Sequence, residues 1–152
     1  MPVITAFIIG TGPEEQSMKR LANELNVQNY VEFKGRISSE ELSAIVALSW
    51  LNVHTSVTEG WGLSIIEASA TGTPTVAYSV PGVRDAVEDG LNGIKVEDGN
   101  RDALADAAFS ILKDPERWWS SSVEVARKYS WDKTAELWDS LIRNVVNNQK
   151  KL

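Results

Sequence analysis

The chain has 152 residues, 43% of them hydrophobic and 24% charged, the proportions of an ordinary globular chain long enough for one domain with a sizeable core. Its net charge is −6, and no basic run is long enough to draw nucleic acid or an anionic membrane. With no cysteine and one histidine, disulfides, thiolate metal sites and His-rich zinc centres are excluded, and no apolar stretch approaches the ~18 residues of a membrane span.

Val3 to Ile9 is β-branched and continuously apolar, as a strand covered on both faces would be. Gly10-Thr11-Gly12-Pro13 then turns the chain into a helix with Met18, Leu21, Ala22 and Leu25 on one stripe. A dinucleotide fingerprint would need a third glycine where Glu15 stands, so this turn fits a nucleotide-edge loop and a plain strand-to-helix turn equally. Tyr30 to Lys34 reads as a second strand closed by Gly35-Arg36. Ser38 and Glu41 form a capping box ahead of a helix bearing Leu42, Ile45 and Val46. Leu51 to Thr55 alternates apolar and polar residues, as a third strand does.

The next stretch carries the chemistry. Glu59-Gly60-Trp61-Gly62-Leu63 leads into Ser64-Ile65-Ile66-Glu67-Ala68, a glycine-bearing loop followed by a helix start. Strand, loop and helix in this order aim free backbone N–H groups and a positive dipole end at an anion, typically a phosphate. Gly60 and Gly62 let a ligand approach the main chain closely. Glu59 is expected at the mouth of that site. Glu67 is expected about one turn inside the helix, tilted back toward its N-terminus. A carboxylate accepts two hydrogen bonds side by side, which suits the vicinal hydroxyls of a ribose or a sugar. Acidic residues are also common at helix starts, and Glu59 could be only that. Glu67 reads as a costly buried carboxylate among Ile65, Ile66, Ala68 and Ala70, which favours a ligand-directed role.

Pro74 to Tyr78 is the fourth predicted strand, with Ser79-Val80-Pro81-Gly82 as its exit loop. Gly93 to Val96 is the fifth, between Asn92-Gly93 and Asp98-Gly99 turns. Asn100 caps a helix with Leu104, Ala108, Ile111 and Leu112 inward. Pro115 is expected at the first position of the next helix. Ser130 caps a last one whose Trp131, Ala135, Trp138, Ile142 and Val145 keep helical spacing and are expected in the core. Asn147 to Lys151 reads as a frayed end. Strands alternating with helices predict an α/β fold, a Rossmann-like, mostly parallel sheet with helices on both faces. Ligands of such sheets bind beyond the carboxyl ends of the strands. That rule gathers Gly10–Gly12, Gly35–Arg36, Thr55–Leu63 and Ser79–Gly82 around one crevice.

Glu59 to Glu67, continued by Ala68-Ser69-Ala70-Thr71-Gly72-Thr73-Pro74, Gly82, Asp89-Gly90-Leu91-Asn92-Gly93, Asp114-Pro115 and Tyr129-Ser130-Trp131, resembles the C-terminal domain of retaining GT-B glycosyltransferases with the E-x7-E signature. The likeness covers nearly the whole chain in order. It implies a single nucleotide-sugar-binding domain over residues 1–152, a piece of a larger two-domain enzyme. In such enzymes Glu67 would hold the ribose and Glu59, the catalytic carboxylate, would contact the donor sugar. The main chain of Gly60, Trp61, Gly62 and Leu63 would hold sugar and diphosphate, and the loops at Gly10–Gly12 and Gly35–Arg36 would border the base. The donor would be a nucleoside-diphosphate sugar, with no metal or other cofactor. The acceptor, a sugar or a lipid, would be bound by an N-terminal domain, and no nucleic acid or membrane insertion is implied. With no signal peptide at the start, the expected location is cytoplasmic, membrane-peripheral for the full-length enzyme.

The chain departs from the family pattern at several places. The family carries a further strand–helix unit ahead of residue 1, with an arginine and a lysine that neutralise the diphosphate. Pro81 stands where a glycine is usual, removing one N–H, and His54 replaces the usual proline of its loop. His54 is read either as a sugar contact or as a structural strand-end histidine. A non-catalytic nucleotide-binding or interaction module of this fold, or a sugar-nucleotide epimerase, is the alternative reading. An epimerase would want an additional acid–base pair, which the sequence does not offer.

Overall fold

The computed structural model describes residues 4–149. Its framework divides into two compact units, Met1–Ala44 and Ile45–Leu152. The smaller holds β1 (Ala6–Ile9), α1 (Glu15–Glu24), a 3-10 turn (Gln28–Tyr30), β2 (Val31–Gly35) and the start of α2 (Ser39–Leu48). β1 and β2 pair in parallel, with Ala6 opposite Val31 and Ile8 opposite Phe33. The predicted first strand began at Val3, which lies outside the described residues. Ser38 and Glu41 form the expected capping box: Ser38 N–H donates to Glu41 Oε2 at 3.0 Å, and Glu41 N–H donates to Ser38 Oγ at 3.1 Å. The α1 stripe differs from expectation. Ala22 is buried, but Met18, Leu21 and Leu25 are exposed, because two strands give the helix too little sheet to cover its face.

The larger unit holds β3 (Asn52–His54), α3 (Leu63–Ala70), β4 (Thr75–Tyr78), α4 (Val83–Ala86), β5 (Gly93–Val96), α5 (Arg101–Leu112), a 3-10 turn (Glu116–Trp118), α6 (Trp119–Arg127) and α7 (Trp131–Gln149). Its strands run parallel in the order β3-β4-β5. β4 is central and buried at every residue. Neighbouring strand residues point to opposite faces, and β4 shows both faces covered. Val76 joins a cluster with Ala107, Ile111 and Trp118, while Ala77 joins another with Ile65, Ile66, Val83 and Ala126. The α/β fold with parallel strands and helices is as predicted, and its described strands pair in two parallel ladders. Strand–helix alternation dictates parallel pairing, but it does not say which strands become neighbours.

Local signals in this unit hold closely. Asn100 Oδ1 accepts the Ala103 N–H at 3.0 Å, capping α5, and Ser130 Oγ accepts the Lys133 N–H at 3.2 Å, capping α7. Pro115 precedes a 3-10 turn rather than opening an α-helix, and α4 follows the exit loop of β4 as an element that was not predicted. Asn92 is fully buried and fully used. Its amide donates to Ser69 Oγ at 3.0 Å and to the Ala86 carbonyl at 2.9 Å, and its Oδ1 accepts the Glu88 N–H at 2.7 Å. That network ties α3 and α4 to the turn before β5, since an orphaned buried amide would be costly.

The tryptophans of α7 are a correction. Trp131 is 87% exposed and Trp138 60%, and Ala135, Leu141, Ile142 and Val145 are exposed with them. Helical spacing gave α7 an apolar side; nothing among the described residues packs over it. The helix also runs through Asn147 to Gln149, where a frayed end was expected, and Lys150 and Lys151 lie outside the described residues.

Candidate functional site

The site of the larger unit is built where β3 hands over to α3. β3 ends at His54, held in register opposite Ala77 of β4. The loop then runs through Ser56, Glu59 and Gly60 to Gly62, whose φ of 64° is left-handed, a conformation an L side chain pays for. Gly62 is buried, and a Cβ there would stand 3.0 Å from Ile65 Cδ1. α3 starts at the next residue. Among the described residues no side chain caps it; the Ile65 N–H donates to the Gly62 carbonyl at 2.9 Å, which leaves the N–H groups of Leu63 and Ser64 for whatever lies ahead of the helix. Open N–H groups and the helix dipole together make an anion site.

Glu59 sits at the mouth of this loop, with its side chain 31% exposed. Its Oε1 accepts a hydrogen bond from Ser56 Oγ at 2.9 Å and lies 3.3 Å from His54 Nε2. Both neighbours converge on one oxygen. Among the described residues no hydrogen bond reaches Oε2, which leaves it available to an incoming hydroxyl.

Glu67 is placed differently from expectation. It is exposed, while Ile65, Ile66, Ala68 and Ser69 point inward. A helix of this length packed by one side leaves its third turn-mate in water, so the cost of a buried carboxylate does not arise. Glu67 shares the open side of α3 with Leu63 and Ser64, one turn or less from the helix start. Trp61 is half-buried against the core and meets Tyr129 edge-to-face, with ring centroids 4.7 Å apart. Its indole is therefore a brace for the loop, which fits a role for its main chain rather than its ring. Gly60 and Leu63 are exposed.

Gly82 matters more than the sequence suggested. It has φ 84°, and a Cβ there would stand 2.9 Å from the Gly60 carbonyl oxygen and closer still to that of Glu59. The exit loop of β4 thus lies directly against the backbone that carries Glu59, and only glycine fits. The sequence placed Gly82 in a loop beside the crevice, without showing that it touches the backbone of Glu59. Ser56 and Ser64, which touch Glu59 and His54, were also missed. Ser56, three residues before a carboxylate, is the spacing that could have disclosed it.

In the smaller unit, Gly10 N–H donates to the Gly35 carbonyl at 2.8 Å, which carries the β1–β2 pairing to the end of β2 and sets the two glycines side by side. A pocket of about 200 Å³ opens beside them, lined by Ile9, Gly10, Gly12, Glu15, Met18 and Phe33 among others. Arg36 is exposed and forms no ion pair among the described residues.

The family profile described as "Glycosyl transferases group 1" matches residues 1–130. The poly(glycerol-phosphate) alpha-glucosyltransferase of Bacillus subtilis (strain 168) is 32% identical over 150 residues, covering 96% of this chain and 22% of that protein. A D-inositol 3-phosphate glycosyltransferase of Corynebacterium glutamicum (strain R) is 32% identical over 143 residues, covering 92% of this chain and 34% of that one. Among solved structures, S. aureus TarM in complex with fondaparinux, alpha-GlcNAc-glycerol and UDP superposes with a TM-score of 0.79 at 27% identity, covering 90% of this chain and 28% of that one. The chain thus spans roughly a fifth to a third of the length of these relatives.

Proposed function

The chain belongs to the glycosyl transferases group 1 family, and on that premise we propose that it binds the nucleoside-diphosphate sugar donor for retaining transfer of the sugar to an acceptor. The observation that carries this reading is the uncapped start of α3 beside a carboxylate with one free oxygen. The open N–H groups of α3 would receive the diphosphate. Glu59 Oε2 would receive a hydroxyl of the donor sugar, and Glu67, on the open side of α3, the ribose diol. Gly60, Trp61, Gly62 and Leu63 would offer main-chain contacts to sugar and diphosphate.

In the transfer, the bond from the anomeric carbon to the diphosphate oxygen breaks, a bond to an acceptor hydroxyl oxygen forms, and the hydroxyl proton passes to the departing diphosphate. The negative charge that gathers on the departing diphosphate is what a helix N-terminus stabilises. This reading calls for no metal. It assigns acceptor binding, and the cations that would complete neutralisation of the diphosphate, to parts of a longer protein. It also predicts that the 152-residue chain alone binds donor without turning it over.

Titration calorimetry with UDP, UDP-glucose and GDP-mannose tests the reading. A carboxylate that grips a diol makes two charge-assisted hydrogen bonds, each worth about 1.5–3 kcal/mol. Water screens an exposed carboxylate, so Glu67→Ala should weaken nucleotide binding by less than the full sum of two such bonds, roughly 2–4 kcal/mol, about 30- to 800-fold. Because Glu67 is exposed, the melting temperature should stay where it is. Glu59→Gln should leave bare UDP affinity nearly unchanged. Binding of every nucleotide unaltered in Glu67→Ala would overturn this assignment.

A further inference from the structure

His54 is the chain's one histidine, and its surroundings are unusual for a strand-end residue. Its side chain is only 12% exposed. Nδ1 stands 3.4 Å from Ser64 Oγ in the first turn of α3. Nε2 stands 3.3 Å from Glu59 Oε1, yet out of line for a hydrogen bond, so it is buried without a hydrogen-bond partner. A buried N–H left unpaired is costly unless some state of the protein uses it.

We infer that His54 is a positioning residue that, with Ser56, holds Glu59 Oε1 so that Oε2 faces the donor sugar. The inference rests on the reading of Glu59 as the sugar-facing carboxylate. The chemistry runs through the ring. Ser64 O–H donating to Nδ1 leaves the imidazole proton on Nε2, the nitrogen turned toward Glu59. A small turn of the carboxylate brings Oε1 into line with Nε2–H while Oε2 takes a sugar hydroxyl. Bound sugar thus completes the hydrogen bond that the free protein lacks. The strand ladder at Ala77 fixes the backbone of His54, so the ring is a fixed reference for a loop residue. The device also couples the two ends of the site, since Ser64 sits on the helix start where the diphosphate is expected. A histidine that merely fills space between β3 and α3 would need neither nitrogen.

A single imidazole makes the test direct, because its 15N resonances need no assignment. In the free chain with the imidazole neutral, the proton should reside on Nε2, and Ser64→Ala should reduce that tautomer's share. The binding arm compares UDP with UDP-glucose, UDP-GlcNAc and GDP-mannose by calorimetry. Wild type should favour at least one sugar nucleotide over the bare diphosphate. His54→Phe keeps the bulk and loses the N–H; it should erase that preference, a loss of roughly tenfold for one charge-assisted hydrogen bond, with UDP affinity within about twofold. His54→Asn, which keeps a donor, should restore part of it. An imidazole proton on Nδ1, or an undiminished sugar preference in His54→Phe, overturns the inference while the donor reading stands. If wild type binds none of these nucleotides, the donor reading fails and this inference falls with it. Should His54→Phe not fold, the tautomer and the asparagine variant still decide.

Discussion

α3 and α7 are opposites. α3 has eight residues, weak apolar periodicity and a glutamate in its middle, yet four of its residues are buried. α7 has nineteen residues, regular apolar spacing and two tryptophans, yet Trp131, Trp138, Leu141, Ile142 and Val145 are all exposed. The contrast separates two properties that sequence patterns merge. Periodicity says that a helix has an apolar side. Whether that side is covered depends on what the rest of the chain sets against it. α3 has β4 on one side and α6 on another; α7 has no comparable neighbour among the described residues.

The comparison breaks if the long helix proves to carry the stability and the short one does not. The largest effect should come from Ile65→Ala. Ile65 is fully buried in the cluster shared with Ala77, Val83 and Val87, and truncating such a side chain costs about 2–5 kcal/mol. Denaturant unfolding monitored by circular dichroism measures it. A loss below about 1 kcal/mol would mean that α3 is not the packed element the structure describes.

Gly82→Ala should come next, at about 1–3 kcal/mol for an L residue at positive φ, with the crowding against the Glu59 and Gly60 carbonyls added. Its signature is double. The melting temperature falls, and sugar-nucleotide binding falls further than the melt accounts for, because the displaced backbone carries Glu59. Unchanged donor affinity in folded Gly82→Ala would show that this contact does not position the loop.

What the sequence made legible divides along the same line. The capping box at Ser38 and Glu41, the caps at Asn100 and Ser130, and the strand–loop–helix at Glu59 are signals written within a few residues, and all are found. The burial of Glu67 was misjudged because Ile65, Ile66, Ala68 and Ala70 looked apolar all round. Which of those faces meets β4 is a tertiary fact. The neighbours of Glu59 were missed for a related reason. Ser56 is local, but His54 reaches Glu59 only because the loop folds back over the strand end. Gly82, far along the chain, touches Glu59 only through the order of the strands. The division of the strands into two ladders was unreadable for the same cause, since strand–helix alternation is local and pairing is not.

A third helix, α2, adds a local contribution at its N-terminus. The Ser38 backbone N–H and hydroxyl, with Lys34 nearby, hold the Glu41 carboxyl below its ordinary range. A carboxylate whose folded pKa is depressed stabilises the fold above its unfolded value and loses that contribution as pH falls through the folded one. Melts of wild type and Glu41→Gln should therefore differ slightly at neutral pH and converge as the pH drops below the usual carboxylate range. A gap that persists at low pH would assign the effect to packing rather than to the charged cap.

The smallest effect is expected where the largest side chain is removed. Burial of tryptophan normally dominates local stability, and truncation of a core tryptophan costs about 3–5 kcal/mol. Trp138 is 60% exposed, so there is little buried area to lose and no cavity to leave. Alanine is also the better helix former, by up to a few tenths of a kcal/mol. Trp138→Ala should thus shift stability by no more than about 0.5 kcal/mol, and in either direction. Denaturant titration of this variant beside Ile65→Ala, in the same buffer and at several protein concentrations, reads the difference. A loss above about 2 kcal/mol at every concentration would mean that the apolar side of α7 is packed within the chain. A loss that grows with protein concentration would mean that the side is covered by a second copy. Either result would remove the contrast between the two helices, and the spacing of the tryptophans would then be evidence for a core after all.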